Sequence, residues 1–447
     1  MSLSDHPKAY GTAALTVAFV AGIFVTLGFK DLYPELENRY QQRRKRNGRS
    51  ATASAAGSRR DSLVFGPVSL EDRESSIATI DRGMGIVDGI EGTIGNTPLV
   101  KIRSLSEATG CIILAKAEFL NGAGGSPKDR VALNMIEVAE EQGLLVPNRG
   151  DTIYEGTVGS TGISLAVLAR ARGYKAHICM PSDMAREKSD LLHHLGANVE
   201  RVTPAPITDP KHFVNLARTR AKEHTASDSP SRGFFADQFE SQANYTAHLK
   251  TTGPEIYAQT GGRLDAFVAG AGTGGTISGV TKYLKEERKL TNLRVVLADP
   301  QGSGLYNKIR HGVMYSPTEK EGTRRRQQVD TMVEGIGITR ITENFEAARS
   351  LIDDAVRVTD EQALRMARWL VEHDGIFVGS SSAVNCVAAV VTALKMPKGS
   401  RIVTILCDSG TRHLSKFWKH IGEMGLEDET QEQDEDLLAV LGLEDRK

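Results

Sequence analysis

Short apolar runs alternate with stretches of helical period between residues 86 and 426. The apolar runs predict β-strands at 112–117, 152–154, 175–180, 198–202, 266–269, 294–298 and 401–406. The periodic stretches predict helices at 131–142, 162–172, 186–195, 213–224, 276–287 and 360–372. Because strands and helices alternate, we expect an α/β fold in which helices cover parallel sheets. The loops at the carboxyl ends of such strands are where ligands bind.

A different pattern occupies the N-terminus, where residues 11–29 carry no charge and are mostly apolar. About 20 helical residues span roughly 30 Å, the thickness of the hydrocarbon core of a bilayer. Basic residues follow this run at 43–46 and at Arg49, whereas a secretory signal peptide would carry its positive charge in front of a shorter core. By the positive-inside rule, the bulk of the chain then faces the cytosol. We predict a single transmembrane helix at 11–29, and a buried core helix is the alternative.

The location of this anchor is suggested by its basic C-terminal flank, which is similar to that of proteins anchored in the mitochondrial outer membrane. The endoplasmic reticulum membrane is the main alternative, and the mitochondrial matrix, reached by a cleaved presequence, is the third. Composition divides the chain into an N-terminal anchor (1–30), a basic polar linker (31–85), a folded domain (86–426) and an acidic tail (427–447). A short helix is expected near 437–443.

Composition and charge exclude some classes of function. The 447 residues include 55 Lys and Arg against 56 Asp and Glu, so the net charge of -1 gives no reason to expect nucleic-acid binding. The four cysteines, Cys111, Cys179, Cys386 and Cys407, are far apart and lack the spacing of a metal site. We expect buried structural cysteines in a reducing compartment, and no metal.

A glycine-rich loop at 122–127 follows the first predicted strand, and Lys128 comes directly after it, where a helix is expected to begin. The N-terminus of a helix carries a partial positive charge, which disfavours an ammonium group there, as burial also does. Schiff-base chemistry requires a lysine of lowered pKa, so Lys128 is a candidate for that role. A solvated lysine at the end of a loop is the alternative from this stretch alone.

Two further loops follow predicted strands and open predicted helices. Residues 156–162 offer hydroxyl groups and free backbone amides that could bind a carboxylate or a phosphate. Residues 270–276 are rich in glycine, which lets the backbone approach an anion closely, and Thr273 and Thr276 add donors. Each loop alone could be a tight structural turn. Together with a loop lysine, they suit a phosphorylated aldehyde cofactor bound to Lys128.

A run of serines at 380–382 follows an apolar stretch and precedes a helix rich in Ala and Val. Serines at such a junction commonly cap the helix, but one of them could also present a neutral hydroxyl to a ring nitrogen. A serine partner leaves a pyridine nitrogen unprotonated, which favours β-elimination over reactions that need a stronger electron sink.

These segments resemble, in the expected order, the motifs of the cysteine synthase/cystathionine β-synthase family of fold type II pyridoxal-phosphate enzymes. The resemblance covers nearly all of residues 90–418. It rests on the separated segments Ile94–Val100, Ser126–Arg130, Asp237–Phe239, Gly272–Thr276, Gly375–Ser382 and Asp408–Ser415.

The resemblance implies a tryptophan synthase β-like fold with two open twisted sheet subdomains, the smaller at about 125–250, and pyridoxal 5′-phosphate between them. It implies that Lys128 carries the cofactor as a Schiff base and that the chain forms a homodimer. The other implied cofactor-binding residues are Ser160, Gly272, Thr273, Gly274, Gly275, Thr276 and Ser381. The implied substrate-binding residues are Thr157, Ser160, Thr161 and Gln238.

The segment 157–162 departs from the family pattern, which usually reads Thr-Ser-Gly-Asn-Thr-Gly. Val158 stands where the serine is usual, and Ser160 replaces the asparagine that usually binds the ring oxygen of the cofactor. One neutral hydrogen bond contributes about 0.5–1.5 kcal/mol, so we expect the changes to retune catalysis rather than abolish it.

The expected function is pyridoxal-phosphate-dependent β-replacement that makes L-cysteine from O-acetyl-L-serine and sulfide. The first alternative is an L-cysteine desulfhydrase, in which the same residues catalyse β-elimination to pyruvate, ammonia and sulfide. The second is a pseudo-enzyme that serves as a tethered scaffold, for which the altered segment at 157–162 is the only support. β-Replacement and β-elimination differ in whether a thiol or water captures the intermediate, and the sequence does not decide between them.

Overall fold

The computed structural model describes residues 86–157, 159–184, 186–314, 331–425 and 436–443. The predicted transmembrane segment at 11–29 and the linker at 31–85 lie outside these ranges. Within them, no helix is both long enough and apolar enough to cross a membrane.

The larger of two sheets has six strands in the order β1-β2-β10-β7-β8-β9. They are β1 (Leu99–Lys101), β2 (Ile112–Ala117), β7 (Ala266–Gly270), β8 (Arg294–Pro300), β9 (Asp354–Val358) and β10 (Arg401–Leu406). Strand β1 pairs with β2 antiparallel, and the other neighbours are parallel. The last strand of the chain therefore lies inside the sheet, between β2 and β7.

The smaller sheet has four parallel strands in the order β5-β4-β3-β6. They are β3 (Thr152–Gly156), β4 (Lys175–Pro181), β5 (Asn198–Val202) and β6 (Gly233–Phe235). All its strands come from one continuous stretch of the chain, 152–235. The two sheets make this a mixed α/β fold, as the sequence pattern predicts.

Helices cover both sheets. They are α1 (Arg103–Thr109), α2 (Lys128–Glu141), α3 (Ser160–Ala171), α4 (Arg186–His194), α5 (Phe213–Ala226), α6 (Ala243–Lys250), α7 (Thr252–Thr260), α8 (Gly275–Thr281), α9 (Leu305–His311), α10 (Glu343–Glu346), α11 (Asp360–Asp374), α12 (Ser380–Ala393), α13 (Lys419–Glu423) and α14 (Leu437–Val440). Shorter 3-10 turns lie at Glu91–Thr93, Glu118–Leu120, Arg349–Leu351 and Gly410–Arg412. The helix predicted at 276–287 forms in two parts, because α8 continues as a π-helical segment, Lys282–Glu287. A second π-helical segment lies at Leu414–Trp418.

The large sheet has an apolar layer on each face. On one face, every residue of α12 is buried, α12 packs against the central strands, and α11 packs on α12. On the other face, Ile256, Phe267 and Val295 belong to a second cluster, which includes residues of α7 and α8. A third cluster, containing Ile136, Leu165 and Ile178, covers the small sheet. Burial on both faces is typical of parallel sheets and explains the continuous apolar runs of their strands.

The C-terminal segment 436–443 completes the first of these layers. Leu437, Leu438, Leu441 and Leu443 are at most 2% exposed and pack in the same cluster as α12. The side-chain amide of Gln362, on α11, donates to the carbonyl oxygen of Leu441 (3.1 Å). The predicted short helix is therefore present as α14, and it is packed against the folded domain. Residues 426–435, which connect it, lie outside the described ranges.

Candidate active site

A cleft of about 1380 Å³ opens at the carboxyl ends of both sheets. Loops that follow β3 and β4 line one wall, and loops that follow β7 and β10 line the other. This is where parallel α/β sheets bind ligands. The structure brings all the sequence-predicted site residues together here: Lys128, Thr157, Ser160, Thr161, Gln238, Gly272, Thr273, Gly274, Gly275, Thr276 and Ser381.

Lys128 is the first residue of α2 and lines the cleft. Burial of the amine lowers its pKa, and this effect is opposed by nearby Cys407 and Asp408. The direction agrees with the expectation from the sequence. A lowered pKa increases the neutral fraction of an amine, and the neutral form is the nucleophile and the base.

Asp129 holds the glycine loop that precedes Lys128. Its two carboxylate oxygens accept hydrogen bonds from the backbone N–H groups of Gly124 and Gly125, both at 2.8 Å. One of them also accepts from the Ser164 hydroxyl (2.6 Å), on α3. The loop and the two helices are thereby joined at the base of the cleft, which fixes the start of α2.

A fully buried charge network lies behind the same helix. The Arg130 guanidinium donates to both oxygens of Glu118 and to both oxygens of Glu255, at 2.6–2.8 Å. The Lys116 amine lies 2.6 Å from Glu255 Oε2. The resulting two cations and two carboxylates balance in charge, as buried ions must. Arg130 is two residues from Lys128, so the network anchors the helix that presents the lysine.

The predicted carboxylate-binding residues meet on the small-sheet side of the cleft. Helix α3 begins at Ser160, directly after the loop, and Val158 lies outside the described residues. The Thr161 hydroxyl donates to Oε1 of Gln238 (2.5 Å), although 77 residues separate the two. Ser160 instead faces Arg412, whose guanidinium lies 3.4 Å from its hydroxyl.

The glycine loop after β7 is shaped by close approaches that exclude side chains. A Cβ atom on Gly272 would lie 2.3 Å from the carbonyl oxygen of Gly335, and one on Gly275 would lie 1.8 Å from Asn244 Oδ1. Gly274 has a φ of +86°, in the left-handed region that favours glycine. The glycines therefore let the loop pack tightly against its neighbours, and the loop ends at the N-terminus of α8, which favours an anion such as a phosphate.

Two residues that sequence reasoning missed position this loop. The Asn244 side-chain amide donates to the Thr273 hydroxyl (2.9 Å) and to the carbonyl oxygen of Gln238 (2.7 Å). His248 Nε2 lies 3.2 Å from the Thr276 hydroxyl, and burial lowers the pKa of this imidazole to about 3, so it is neutral. Both residues come from α6, which carries no recognisable motif, and no sequence signal identifies them.

Of the three serines at the start of α12, only Ser381 lines the cleft. The Ser380 hydroxyl accepts from the backbone N–H of Glu334 (3.0 Å), and the Ser382 hydroxyl accepts from the N–H of Cys407 (2.8 Å). These two therefore support the wall of the cleft. Ser381 is the serine that faces the cleft, where its side chain also hydrogen-bonds Cys407, and its binding of a ring nitrogen stays a prediction.

Cys407 corrects one expectation from the sequence. Cys111, Cys179 and Cys386 are buried, as predicted, but Cys407 is only partly buried and lines the cleft. It directly follows β10, so the carboxyl end of that strand brings it to the ligand side. Burial raises the pKa of its thiol to about 11, so the thiol is protonated at neutral pH.

Within the described ranges, His177, Cys179 and Glu200 have ligand atoms within 4.8 Å of one another, close enough for a metal ion. Glu200 already accepts from Arg220 (3.0 Å) and lies 3.1 Å from His177 Nε2. Burial and Glu200 raise the pKa of the Cys179 thiol to about 12, so it stays protonated. These groups satisfy one another, and the absence of a metal site remains a prediction.

The residues of the cleft fit pyridoxal phosphate. The glycine loop at 272–276 lines the cleft where α8 begins, and a helix N-terminus favours an anion, while Lys128 offers an amine of lowered pKa. Ser381 offers a hydroxyl rather than a charged partner to a ring nitrogen. The cleft is also large enough for a cofactor together with a small amino acid.

Comparisons with known proteins agree with this fit. Residues 90–408 match the family model described as pyridoxal-phosphate dependent enzyme. Cysteine synthase 2 of Neurospora crassa is 77% identical over 100% of both chains. The putative mitochondrial cysteine synthase of Saccharomyces cerevisiae is 58% identical over 75% of this chain and 85% of its own. The crystal structure of O-ureido-L-serine synthase is 32% identical and superposes with a TM-score of 0.65, covering 79% of this chain and 100% of its own.

The residues matched by the family model, 90–408, include all ten strands of the two sheets. They also include the loops of the proposed phosphate and carboxylate sites. The chain therefore belongs to the cysteine synthase family of fold type II pyridoxal-phosphate-dependent enzymes.

Proposed function

We propose that this enzyme makes L-cysteine from O-acetyl-L-serine and sulfide by β-replacement, with pyridoxal phosphate as its cofactor. One observation carries the proposal: Lys128 faces a cleft with a glycine loop for a phosphate on one wall and donors for a carboxylate on the other. The names of the relatives, both cysteine synthases, support the reaction.

The cofactor would be held at three places. The backbone amides of 272–276 and the hydroxyls of Thr273 and Thr276 bind its phosphate. Ser381 would bind the ring nitrogen, and Ser160 would bind the ring oxygen where the family usually has asparagine. When bound, pyridoxal phosphate supplies an electron sink that stabilises negative charge on the α-carbon of an amino acid.

Lys128 handles the proton of the reaction. Its neutral amine would remove the α-proton of the substrate, acetate would leave the β-carbon, and sulfide would add to that carbon in its place. The Lys128 ammonium would then return a proton to the α-carbon. Burial favours the neutral amine before the first step, because it disfavours the charged form. The substrate carboxylate is bound by Thr157, Thr161 and Gln238, with Ser160 beside them.

The test is product formation by the full-length enzyme that has been loaded with pyridoxal phosphate. We expect cysteine to be released when O-acetyl-L-serine and sulfide are both present, and no cysteine when either is left out. Sulfide release from cysteine without synthesis from O-acetyl-L-serine would instead identify a desulfhydrase. Binding of cofactor with neither reaction would identify a scaffold.

We further propose that residues 11–29 span the mitochondrial outer membrane and leave the catalytic domain in the cytosol. The charge-free run and its basic C-terminal flank support this placement, and one relative is named a putative mitochondrial protein. In isolated mitochondria, the enzyme should resist alkaline carbonate extraction, and its catalytic domain should be digested by added protease. Protection from protease would place it in the matrix, and recovery with microsomes would place it in the endoplasmic reticulum.

We also propose that the enzyme is a homodimer, as the family resemblance implies. Sedimentation equilibrium of the detergent-solubilised protein should give twice the mass of the chain, 48.4 kDa. A monomeric mass with full activity would contradict this proposal.

A further inference from the structure

A buried carboxyl group lies directly behind the proposed carboxylate subsite. Glu155 is on β3, one residue before the loop that binds the substrate, and it is 0% exposed. Its Oε2 accepts from the backbone N–H of Gln238 (3.3 Å), and its Oε1 accepts from Gln238 Nε2 (3.4 Å). Oε1 also accepts from the N–H of Gly156 (3.1 Å).

These contacts use every donor of the Gln238 side chain. Besides Glu155, Nε2 donates to the carbonyl oxygen of Gly156 (3.3 Å), while Oε1 accepts from Thr161 (2.5 Å). Gln238 can donate to a substrate carboxylate only if Nε2 leaves one of these acceptors. Both of the Nε2 bonds are longer than the usual N–H···O distance of about 2.9–3.0 Å, so they are weak.

The charge environment of Glu155 is unfavourable to ionisation. The charge of Asp237 disfavours ionisation of Glu155. One oxygen of Asp237 pairs with Arg218 on α5 (3.0 Å), and the other is buried without a hydrogen-bond partner. Cys179, on β4, also interacts with Glu155. From α3, the uncharged Thr161 hydroxyl reaches Gln238. Burial, and then Asp237, raise the pKa of Glu155 to about 8.

We propose that Glu155 is a positioning residue for the substrate subsite, and that the affinity for an α-amino-acid carboxylate depends on whether Glu155 carries a proton. This inference rests on the proposed function, in which Thr161 and Gln238 bind that carboxylate. A protonated Glu155 adds no negative charge beside the substrate. It also accepts a weaker hydrogen bond from Nε2 of Gln238, so that the Gln238 amide can rotate and donate to the ligand. An ionised Glu155 repels the carboxylate and retains the amide.

The sign of the pH dependence follows. Substrate affinity is greatest while Glu155 is protonated, at pH values below about 8, and falls as the pH rises through that value. One proton that must be bound for the ligand to bind changes the dissociation constant by up to about tenfold per pH unit above the pKa. By the same linkage, binding of the substrate draws a proton onto Glu155.

The experiment titrates the full-length holoenzyme with L-alanine, an amino acid that has no β-leaving group, between about pH 6 and pH 9.5. The change in the visible spectrum of the bound cofactor gives the dissociation constant. Calorimetry in two buffers of different ionisation enthalpy gives the protons taken up. The enzyme, E155Q and the surface control E141Q are compared, so titration of alanine itself and of Lys128 cancels in the ratio of their dissociation constants.

We expect the ratio of the dissociation constant of the enzyme to that of E155Q to rise with pH above about 8, and proton uptake near pH 8 to be smaller in E155Q. E141Q should match the enzyme. D237N provides a second measurement that does not remove Glu155: without the neighbouring charge, the pH profile should move to lower pH. Asparagine tolerates the left-handed backbone at this position, where φ is +54°.

If the ratio of the two dissociation constants is constant over the whole pH range, or if the pH profile of D237N does not move, the role of Glu155 is overturned. Alanine that still binds in that case upholds the proposed subsite. A holoenzyme whose spectrum is unchanged by alanine at every pH overturns the proposed subsite and the inference together.

Discussion

The amine of Lys188 lies 2.7 Å from Oε2 of Glu334, and the ion pair joins the two walls of the cleft. Lys188 belongs to α4, which packs beside the small sheet. Glu334 lies on the large-sheet side, where its backbone N–H donates to Ser380 at the start of α12. His413 and Lys416 also face Glu334, at 3.9 Å and 4.0 Å. The pair therefore favours an arrangement in which the walls are close together.

Replacing Lys188 by Ala should raise the KM for O-acetyl-L-serine by up to about fivefold and leave kcat nearly unchanged. Both side chains are about one quarter exposed, and such partly screened pairs contribute about 1 kcal/mol or less. The difference from the unmodified enzyme should shrink at high salt, because salt screens the pair. Steady-state kinetics at two ionic strengths measures this. K285A, which breaks an ion pair with Asp353 outside the cleft, is the control, and an equal effect there would contradict a role in closure.

Replacing Lys128 by Ala should abolish cysteine synthesis and the covalent attachment of the cofactor. Lys128 lines the cleft at the start of α2, and burial lowers the pKa of its amine, as a Schiff-base lysine requires. Mass spectrometry after borohydride reduction measures the attachment, and K285A should retain it. A Lys128 variant that still carries covalently bound cofactor would refute the assignment of this lysine.

Replacing Ser160 by Asn should slow the dissociation of the cofactor by about two- to tenfold. The asparagine restores the hydrogen bond that the family usually makes to the ring oxygen, and one such bond contributes about 0.5–1.5 kcal/mol. The same change removes the hydroxyl that faces Arg412. The release of cofactor to a scavenging apoenzyme measures the rate. An unchanged rate would show that position 160 does not tune cofactor binding.

Replacing Glu118 by Gln should lower the free energy of unfolding by about 3–5 kcal/mol, the effect of breaking a buried ion pair. The substitution conserves shape but leaves Arg130 with one carboxylate in place of two. Unfolding by urea, monitored by circular dichroism, measures the change. E361Q removes an exposed partner of Arg365 and should have an effect below about 0.5 kcal/mol. Similar losses in the two variants would argue against the importance of the buried network.

The same network predicts a loss of stability in acid. Arg130 lowers the pKa of Glu118 to about 2 against the burial that raises it, and the pKa of Glu255 is also lowered. A carboxyl whose pKa is depressed by folding stabilises the protein fully above its unfolded value of about 4.5. The stabilisation should disappear as the pH falls from about 4.5 to 2. Urea unfolding over this range should show a shallower loss for E118Q, and parallel curves would contradict the prediction.

The strands that the sequence pattern misses are all at sheet edges. β1 and β6 have three residues each, too few to show a period, and Asp354 and Arg357 interrupt the apolar run of β9. The central strands are recognisable because both of their faces are buried, which makes them continuously apolar. Residues 103–109 and 243–260 also form helices that the pattern does not indicate, since their packing against neighbouring helices, rather than their period, stabilises them.

The site is predictable where chemistry is carried by short segments and unpredictable where it depends on distant side chains. Lys128, the loop at 272–276 and Ser381 each belong to a segment that is informative by itself. Asn244 and Glu155 have no such segment: their importance lies in contacts with Gln238 that only the folded chain reveals. Cys407 is similar, because its exposure follows from the end of a strand whose place in the sheet the pattern does not give.

The strand order has a consequence for synthesis on the ribosome. The small sheet uses one continuous stretch, 152–235, and can assemble while the rest of the chain is still being made. The large sheet cannot be complete before residues 401–406 leave the exit tunnel, because β10 lies between β2 and β7. The apolar layer that contains α12 is completed later still, because it includes the leucines of 437–443. The large sheet of the nascent chain thus stays incomplete until translation is nearly finished.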